Sequence, residues 1–414
     1  MLSGFYKQIK RTGRRRRMKC REIEFDSYRN IERERVAFSD GINVLWGKNA
    51  QGKSNALEAV YYFARGRSFR GARDRDMIMF GRDFARVSLT ARRDGAEYDT
   101  SLEVVIPADE KIKKRVSRNG APISGVGEMI GSFRAVLFCP AHLSLVNGAP
   151  SGRRAFLDIA ISQLSKDYMA KLSEYKRLLL QRNAALKTAA KGEDMPLELW
   201  ETFAEQMARA ASSIASYRIE YMSLLSRSMA ELFADMTGGR EAPTLSYSTH
   251  SVEKAADADD GDDEEDAERG EFEASFADFG TQIVRPDHLF DKLTRDLERE
   301  IRHGSTLWGP HKDDIKIKLN GRSAKTFASQ GQMRSLALAM KLSEGELSRK
   351  IGGEEPVILL DDVLSELDGD RRDFVLGSLG NRQIIVTSCE PSLFGKGGTD
   401  VCLFHVEDGK ITGM

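Results

Sequence analysis

The chain has 414 residues, 41% of them hydrophobic and 30% charged, which is enough for two domains with their own cores. Its four cysteines are scattered and form no Cys-x-x-Cys pair, which argues against zinc and disulfides and fits a reducing cytosol. Because no apolar run approaches the ~18–20 residues that span a membrane and no signal peptide is apparent, we expect a cytoplasmic protein.

Charge is balanced overall but unevenly placed, with 63 Lys/Arg and 63 Asp/Glu. Residues 1–21 carry nine Lys/Arg and no acid. Residues 253–273 carry twelve acids against two basic residues. Bulk charge therefore does not predict nucleic-acid binding, and any basic surface has to be local.

The first predicted strand covers residues 19–25, where apolar and polar side chains alternate. Met18 stands directly before it and follows the basic cluster 14–17. We interpret Met18 as the natural start and residues 1–17 as a basic tail that is not native and results from an upstream start codon. The main domain is predicted to be an α/β domain built from two separate segments of the chain. Its first half is predicted to be 18–148.

Residues 47–55 fit the phosphate-binding P-loop, G-x-x-x-x-G-K-[ST], between an apolar strand at 42–46 and a helix at 55–63. Its glycines allow backbone N–H groups to approach a polyphosphate at a helix N-terminus. We expect Lys53 to reach the β- and γ-phosphates and Ser54 to bind Mg²⁺. The alternative is a chance glycine-rich turn, which the flanking strand and helix disfavour. The predicted nucleotide-binding residues are Gly47, Lys48, Asn49, Ala50, Gln51, Gly52, Lys53, Ser54 and Asn55.

Arginines after the P-loop helix are candidate DNA contacts, because cationic side chains bind phosphates without reading sequence. The alternative is a solvated or internally paired arginine face, since Asp74 and Asp76 interleave with them. The predicted DNA-binding residues are Arg65, Arg67, Arg70 and Arg73, with Arg153 and Arg154 further along the chain.

Strand patterns continue at 84–90, 98–106 and 135–138, and helical spacing follows at 151–235. Apolar residues from Phe203 to Tyr221 repeat about every 3.5 residues, which fits a short coiled-coil-like arm and equally fits ordinary bundle packing. We predict a helical domain at 149–305 that contains the acidic insertion 253–273. That insertion is either a solvated loop or a DNA mimic that inhibits its own site.

Strand character returns at 314–319, before an Asn-Gly turn, and opens the second half of the main domain, 306–414. An apolar strand at 356–360 ends in Asp361 and Asp362. In P-loop enzymes such acids hold Mg²⁺ and activate the attacking water. We assign Asp361 to the metal, and Asp362 to water activation, with Lys53 as the second catalytic residue.

Residues 329–334, Ser-Gln-Gly-Gln-Met-Arg, precede an amphipathic helix. Ser329 could simply cap that helix. The sequence also resembles the signature motif of ABC-type ATPases, in which Ser329, Gly331 and Gln332 would bind the γ-phosphate of a nucleotide held by another subunit. That predicts an ATP-sandwiched, head-to-tail homodimer, with Asp368 in the companion loop 365–368.

The chain resembles the RecF family of SMC/Rad50-like ABC ATPases over essentially its whole length from Met18. The shared strings are 28–30, 47–55, 65–70, 138–140, 148–158, 309–314, 329–332, 360–362 and 365–368. The strand at 383–388 ends in hydroxyl residues where transporter ATPases usually have a histidine soon after. Ala141 departs from the acid usual in the family, which could slow hydrolysis.

The resemblance implies an α/β ABC-type head interrupted by a helical domain. It implies a cytoplasmic, weak, DNA-linked ATPase of recombinational repair, replication and the SOS response, with ATP and Mg²⁺ as cofactors. The ATP-dependent dimer would clamp double-stranded DNA near single-strand gaps and, with RecO and RecR, help to load RecA recombinase. The alternatives are an SMC-like architectural DNA clamp and an orphan ABC ATPase with a membrane partner.

Overall fold

The structure is a computed structural model that describes residues 16–193, 195–249, 272–274, 286–380, 382–391 and 401–413. Most of the basic tail and nearly all of the acidic insertion lie outside these residues. Within them, no helix combines the length and apolar character needed to cross a membrane.

The described residues form seventeen strands and eleven α-helices. The strands are β1 (Arg16–Tyr28), β2 (Ile31–Ala37), β3 (Ile42–Trp46), β4 (Phe84–Arg93), β5 (Thr100–Pro107), β6 (Arg115–Arg118), β7 (Ala121–Ile123), β8 (Ala135–Phe138), β9 (Pro243–Thr249), β10 (Phe272–Ala274), β11 (Asp314–Leu319), β12 (Arg322–Ser323), β13 (Glu354–Glu355), β14 (Val357–Asp361), β15 (Ile384–Ser388), β16 (Val401–Glu407) and β17 (Lys410–Gly413). The helices are α1 (Lys53–Arg65), α2 (Val126–Met129), α3 (Ser144–Asn147), α4 (Pro150–Leu164), α5 (Lys166–Ala189), α6 (Leu197–Thr237), α7 (Pro286–Arg295), α8 (Leu297–His303), α9 (Ala324–Phe327), α10 (Gln330–Gly352) and α11 (Gly369–Leu379). Short 3₁₀ helices cover Asp74–Met77, Pro140–Leu143 and Leu364–Glu366.

The predicted strands before the P-loop and before the acid pair lie in one six-stranded sheet, in the order β17-β16-β3-β15-β14-β8. Every neighbouring pair is parallel except β16 and β17. β14 and β15 are buried throughout, as expected for parallel strands covered on both faces. Because carboxyl ends of parallel strands meet at one edge, the segments that follow β3, β14 and β15 lie together.

A second sheet of this region has the order β13-β1-β4-β5-β6-β7, with β2 also paired to β1. In β4, Ala85, Val87, Leu89 and Ala91 are buried on alternate positions, so one face of the sheet covers the core. The strand predicted at 19–25 is confirmed but begins earlier, at Arg16. Arg17 pairs with Glu355 in the sheet and forms an ion pair with Asp94, so the end of the predicted tail belongs to the strand.

The chain forms two compact units. One is Leu143–Ala339, and the other contains the described residues of Gln8–His142 and Met340–Met414. The unit Leu143–Ala339 therefore lies in the chain between the two segments of the other unit, with junctions at 142/143 and 339/340. The domain boundaries at 148/149 and 305/306 stay a prediction. The core of the α/β unit is formed by both chain segments, and Leu45, Val60, Leu89 and Leu359 are among its buried residues.

The unit Leu143–Ala339 is built on α6, a helix of 41 residues that is about 60 Å long. It packs against α5, α7 and β9, which favours the bundle alternative over an isolated coiled-coil arm. A four-stranded sheet, β10-β9-β11-β12, belongs to the same unit. The predicted Asn-Gly turn joins β11 to β12, with positive φ angles of 50° at Asn320 and 79° at Gly321.

Candidate nucleotide-binding site

The loop between β3 and α1 needs glycine at two positions because neighbouring chain comes very close. Gly47 has φ 154°, and a Cβ atom there would lie 2.2 Å from the carbonyl oxygen of Val406. Gly52 has φ 115°, and a Cβ atom there would lie 2.8 Å from Oδ1 of Asn30. A larger side chain at Gly47 would therefore displace the backbone, and one at Gly52 would displace the Asn30 side chain. The predicted strand–loop–helix arrangement is confirmed.

Lys53, the first residue of α1, folds its side chain back over the loop. Its Nζ donates hydrogen bonds of 2.6 Å to the Gly47 carbonyl and 2.8 Å to the Lys48 carbonyl. The side chain is buried, so its charge lies inside the curve of the loop. This placement suits a cation that faces bound phosphates.

Residues outside the P-loop motif form hydrogen bonds that hold the loop in place. Asn30 donates a 3.0 Å hydrogen bond to the Gln51 carbonyl and accepts one of 2.9 Å from Asn55. The turn between β16 and β17 adds two more, from the Asp408 amide to the Gln51 side chain and from the Gly409 amide to the Gln51 carbonyl. These contacts could not be predicted from the sequence, because the residues are distant along the chain.

The two predicted metal-binding residues lie in direct contact. The Ser54 hydroxyl is 2.7 Å from Oδ1 of Asp361, which is buried at the end of β14. Thr387, at the end of β15, donates a 2.9 Å hydrogen bond to the same oxygen and accepts one of 3.0 Å from the Asp362 amide. A serine hydroxyl beside a carboxylate fits Mg²⁺, which prefers oxygen ligands and takes few from the protein. Thr387 was missed as part of the site.

Asp362, the predicted general base, lines a cavity of about 320 Å³ above the P-loop. Its backbone has φ 52°, which is unusual for a non-glycine residue and turns the chain sharply after β14. The Ser365 hydroxyl donates to the Asp362 carbonyl at 2.9 Å and to its carboxylate at 3.1 Å. The cavity is lined by Asn49, Ala50, Gln51, Gly52, Lys53, Ser54, Asn55, Arg70, Asp362 and Thr387.

Comparison with known proteins identifies the family. The DNA replication and repair protein RecF of Lactobacillus delbrueckii subsp. bulgaricus is 36% identical over 386 residues, which cover 93% of this chain and 94% of that protein. The protein of the same name from Shouchella clausii is 34% identical over 391 residues, covering 94% and 98% of the two chains. The chain belongs to the RecF family. The family model described as RecF/RecN/SMC N terminal domain matches residues 19–412.

Solved structures agree with the RecF family and its ABC-type fold. The recombination mediator protein RecF with ATP, from the RecFOR pathway, matches with a TM-score of 0.82 at 30% identity, covering 96% of this chain and 98% of that chain. The Smc head domain of Pyrococcus furiosus matches with a TM-score of 0.53 at 15% identity, which shows similarity of fold alone. These relatives do not favour a separate architectural clamp or an orphan ATPase with a membrane partner.

Two of the strings that carried the RecF resemblance meet at Glu58, which is fully buried in α1. Arg29 binds both of its carboxylate oxygens, at 3.0 and 3.1 Å. The hydroxyls of Tyr28 and Ser68 also donate to Glu58. This network fixes the chain on either side of Arg29 and so places Asn30 behind the P-loop.

The arginines predicted to bind DNA have different surroundings. Arg67, Arg70 and Arg73 are all exposed, and Arg70 also lines the cavity and donates a 2.8 Å hydrogen bond to Asn55. Its position therefore favours the nucleotide over DNA. Burial lowers the pKa of Arg65, which is largely covered and less suited to a backbone phosphate.

Arg153 and Arg154 require a correction. Arg153 is buried, with hydrogen bonds of 2.7 and 2.8 Å to the two oxygens of Asp314 and one of 2.9 Å to the Gly148 carbonyl. Because its charge is already paired, the phosphate contact predicted for Arg153 is wrong. Arg154 is half-buried and donates a 2.8 Å hydrogen bond to the Asp313 carbonyl. Both residues tie α4 to the start of β11.

Ser329 caps α10 through a reciprocal pair of hydrogen bonds with Gln332. The Gln332 amide donates to the Ser329 hydroxyl at 3.2 Å, and the Ser329 amide donates to the Gln332 side chain at 2.7 Å. Ser329 is exposed and Gly331 is half-buried. The cap is confirmed and leaves the helix N-terminus accessible, while the contact with a second nucleotide stays a prediction. Asp368 caps α11 by accepting a 2.9 Å hydrogen bond from the Arg371 amide.

Proposed function

We propose that this RecF-family protein is a weak, DNA-linked ATPase whose ATP-bound homodimer clamps double-stranded DNA near single-strand gaps. The observation that carries the proposal is the joint placement of Lys53, Ser54 and Asp362 around one cavity, with Asp361 in contact with Ser54. Those groups are the ones a nucleoside triphosphate and its metal ion require. Membership of the RecF family supplies the setting of DNA replication and repair.

In the proposed site each residue acts on the triphosphate in a separate way. Lys53 neutralises charge at the β- and γ-phosphates, and Arg70 adds a second cation at the rim of the cavity. Mg²⁺ held by Ser54 and Asp361 would screen the phosphate oxygens. Thr387 keeps the Asp361 carboxylate oriented. Asp362 accepts a proton from the water that attacks the γ-phosphate.

ATP acts in this proposal as a switch on an interface. The exposed N-terminus of α10, with Ser329 and Gly331, receives the γ-phosphate of a nucleotide held by a second subunit. Two such contacts join the subunits head to tail, and Asp368 lies in the companion loop of the same interface. Hydrolysis removes the bridging phosphate and releases the dimer from DNA.

The DNA contacts are proposed to be local and electrostatic. Arg67 and Arg73 are exposed and remain candidates for phosphate contacts. The related recombination mediator of known structure belongs to the RecFOR pathway. By that relationship we assign RecR as the partner, with RecO and RecA in the same process, in the cytoplasm.

Light scattering coupled to gel filtration tests the proposal directly. We expect a monomer without nucleotide, a dimer with ATP and Mg²⁺, and a dimer bound to duplex DNA when both are supplied. ADP in place of ATP should return the monomer. A mass that is the same in all conditions, or DNA binding with no dependence on ATP, would contradict it.

A further inference from the structure

The loop before β4 presents a phenylalanine entirely to solvent. Phe80 has a relative exposure of 103%, the highest of the large apolar residues in the described chain. A turn holds it there, with a 3.0 Å hydrogen bond from the Arg82 amide to the Met79 carbonyl and φ 78° at Gly81. The ring is therefore presented on an ordered turn and makes no contribution to the core.

Three strand ends converge beside this turn. Phe84, the first residue of β4, pairs with Pro107 at the end of β5, and the Ala108 amide donates a 2.8 Å hydrogen bond to the Asp83 carbonyl. The start of β6 lies next to them, because Arg115 pairs with Val105. The connecting loop between β5 and β6 exposes a second apolar side chain, Ile112, at 57%.

The surroundings of Phe80 contain more basic than acidic residues. Residues 73–84 and 107–115, which hold the turn and the strand ends beside it, contain seven Lys/Arg and five Asp/Glu, a net charge of +2, whereas the full chain has 63 of each. Lys111, Lys113 and Arg115 are exposed and form no ion pair with any described residue. An exposed ring among unpaired cations fits nucleic acid better than an apolar protein partner, which would require a larger uncharged surface.

We propose that Phe80 is a base-stacking contact that recognises unpaired bases in DNA, with Lys111 and Lys113 holding the adjacent phosphates. The inference rests on the proposed DNA binding and adds the feature that distinguishes gapped from intact duplex. Stacking requires an open base face, which a continuous duplex hides and a gap supplies. The cations bind both forms alike, because they contact only the backbone.

The test measures affinities of the full chain, with ATP and Mg²⁺, for an intact duplex and for the same duplex with a single-strand gap. Phe80→Ala should weaken binding to gapped DNA by about tenfold and leave intact-duplex affinity unchanged. Phe80→Trp should retain the preference for the gap. With 2-aminopurine in the gap, the wild-type protein should quench its fluorescence and Phe80→Ala should not.

Tyr98 provides a matched control, since it is 76% exposed beyond the opposite end of the β4–β5 pair. Tyr98→Ala should behave like wild type on both DNAs. Equal gapped-DNA affinities of Phe80→Ala and wild type would overturn the inference, as would an equal loss on both DNAs. It would also be overturned if Phe80→Ala kept its DNA affinities but lost binding to a RecR protein. If the wild-type protein binds neither DNA, the proposed function itself fails.

Discussion

The Ser54 hydroxyl and the Asp361 carboxylate are 2.7 Å apart although 307 residues separate them in the chain. The sheet order brings them together, because β15 alone lies between β3 and β14. Thr387 on that intervening strand bonds to the same carboxylate oxygen. The two halves of the α/β unit therefore complete one site, and neither half contains it alone.

The two neighbouring acids should have separable roles. Asp361→Asn should weaken the Mg²⁺ dependence of ATP binding, because it removes a charged oxygen beside Ser54. Asp362→Asn should keep Mg²⁺-ATP binding but lose turnover by ~100-fold or more, so that ATP-bound dimers persist. Nucleotide binding titrated with Mg²⁺, together with single-turnover hydrolysis, distinguishes the two. Wild-type turnover in Asp362→Asn would place the general base elsewhere.

Loss of the P-loop lysine should abolish turnover. Lys53→Ala removes the buried charge that bonds to the Gly47 and Lys48 carbonyls. We expect ATP turnover to fall ~100-fold or more, because the developing phosphate charge loses its main cation. Some nucleotide affinity should remain through Arg70. The control is Lys191→Ala, which changes an exposed lysine of the unit Leu143–Ala339 and should hydrolyse ATP at the wild-type rate.

The P-loop, the acid pair and the cap on Ser329 could be predicted because each depends on a short run of residues with a fixed spacing. Thr387 and Asn30 could not, because their roles depend on strand order and on contacts between distant segments. The roles of Arg70 and Arg153 were also difficult to predict from the sequence. An arginine in sequence looks equally able to bind DNA, ATP or a buried carboxylate, and only its surroundings decide among them.

The buried ion pair behind the P-loop should be costly to break. Glu58 is fully buried and its charge is paired with Arg29. Arg29→Ala should lower the free energy of unfolding by about 3–5 kcal/mol, because it leaves that carboxylate without its partner. Adding Glu58→Gln should recover much of the loss. Urea unfolding measures both, with the exposed Arg33→Ala as control; a loss below about 1 kcal/mol for Arg29→Ala would contradict the argument.

The free energy of unfolding should fall on mild acidification because of His311, a half-buried histidine. The His311 ring accepts a 2.7 Å hydrogen bond from Tyr175 at Nδ1 and donates one of 3.0 Å from Nε2 to the Thr306 carbonyl, so it is held neutral. Burial lowers the pKa of His311 to about 4, compared with about 6.5 in an unfolded chain. The contribution of His311 to the free energy of unfolding is therefore fully present above pH ~6.5, and it is lost as the pH falls towards 4.

The expected loss from His311 is roughly 1–3 kcal/mol between those pH values. Urea unfolding at a series of pH values should show a flatter profile for His311→Gln than for wild type. The stability of His311→Gln should still depend on pH to some extent, because burial also lowers the pKa of His142. The exposed His303→Gln is the matched control and should follow wild type. An unchanged slope in His311→Gln would show that this ring does not govern the acid response.

Ser329, the exposed cap of α10, should contact the γ-phosphate of a nucleotide held by another subunit. Ser329→Arg places a bulky cation at the helix N-terminus, against its dipole and in the path of the facing phosphate. The variant should bind ATP as a monomer through Lys53 and Ser54 but neither dimerise nor hydrolyse it. Ser323→Arg, at an exposed serine of the same unit, should dimerise with ATP like wild type.

Mixing two inactive variants tests whether the site is shared between subunits. A heterodimer of Ser329→Arg and Lys53→Ala contains one site with both an intact P-loop and an intact cap, and one site with neither. If the variants pair at random, an equal mixture should regain roughly a quarter of wild-type turnover, since half the dimers carry one competent site of two. Either variant alone should regain none. Normal ATP-driven dimerisation of Ser329→Arg alone would show that Ser329 only caps its own helix, because a site shared across the interface cannot tolerate that substitution.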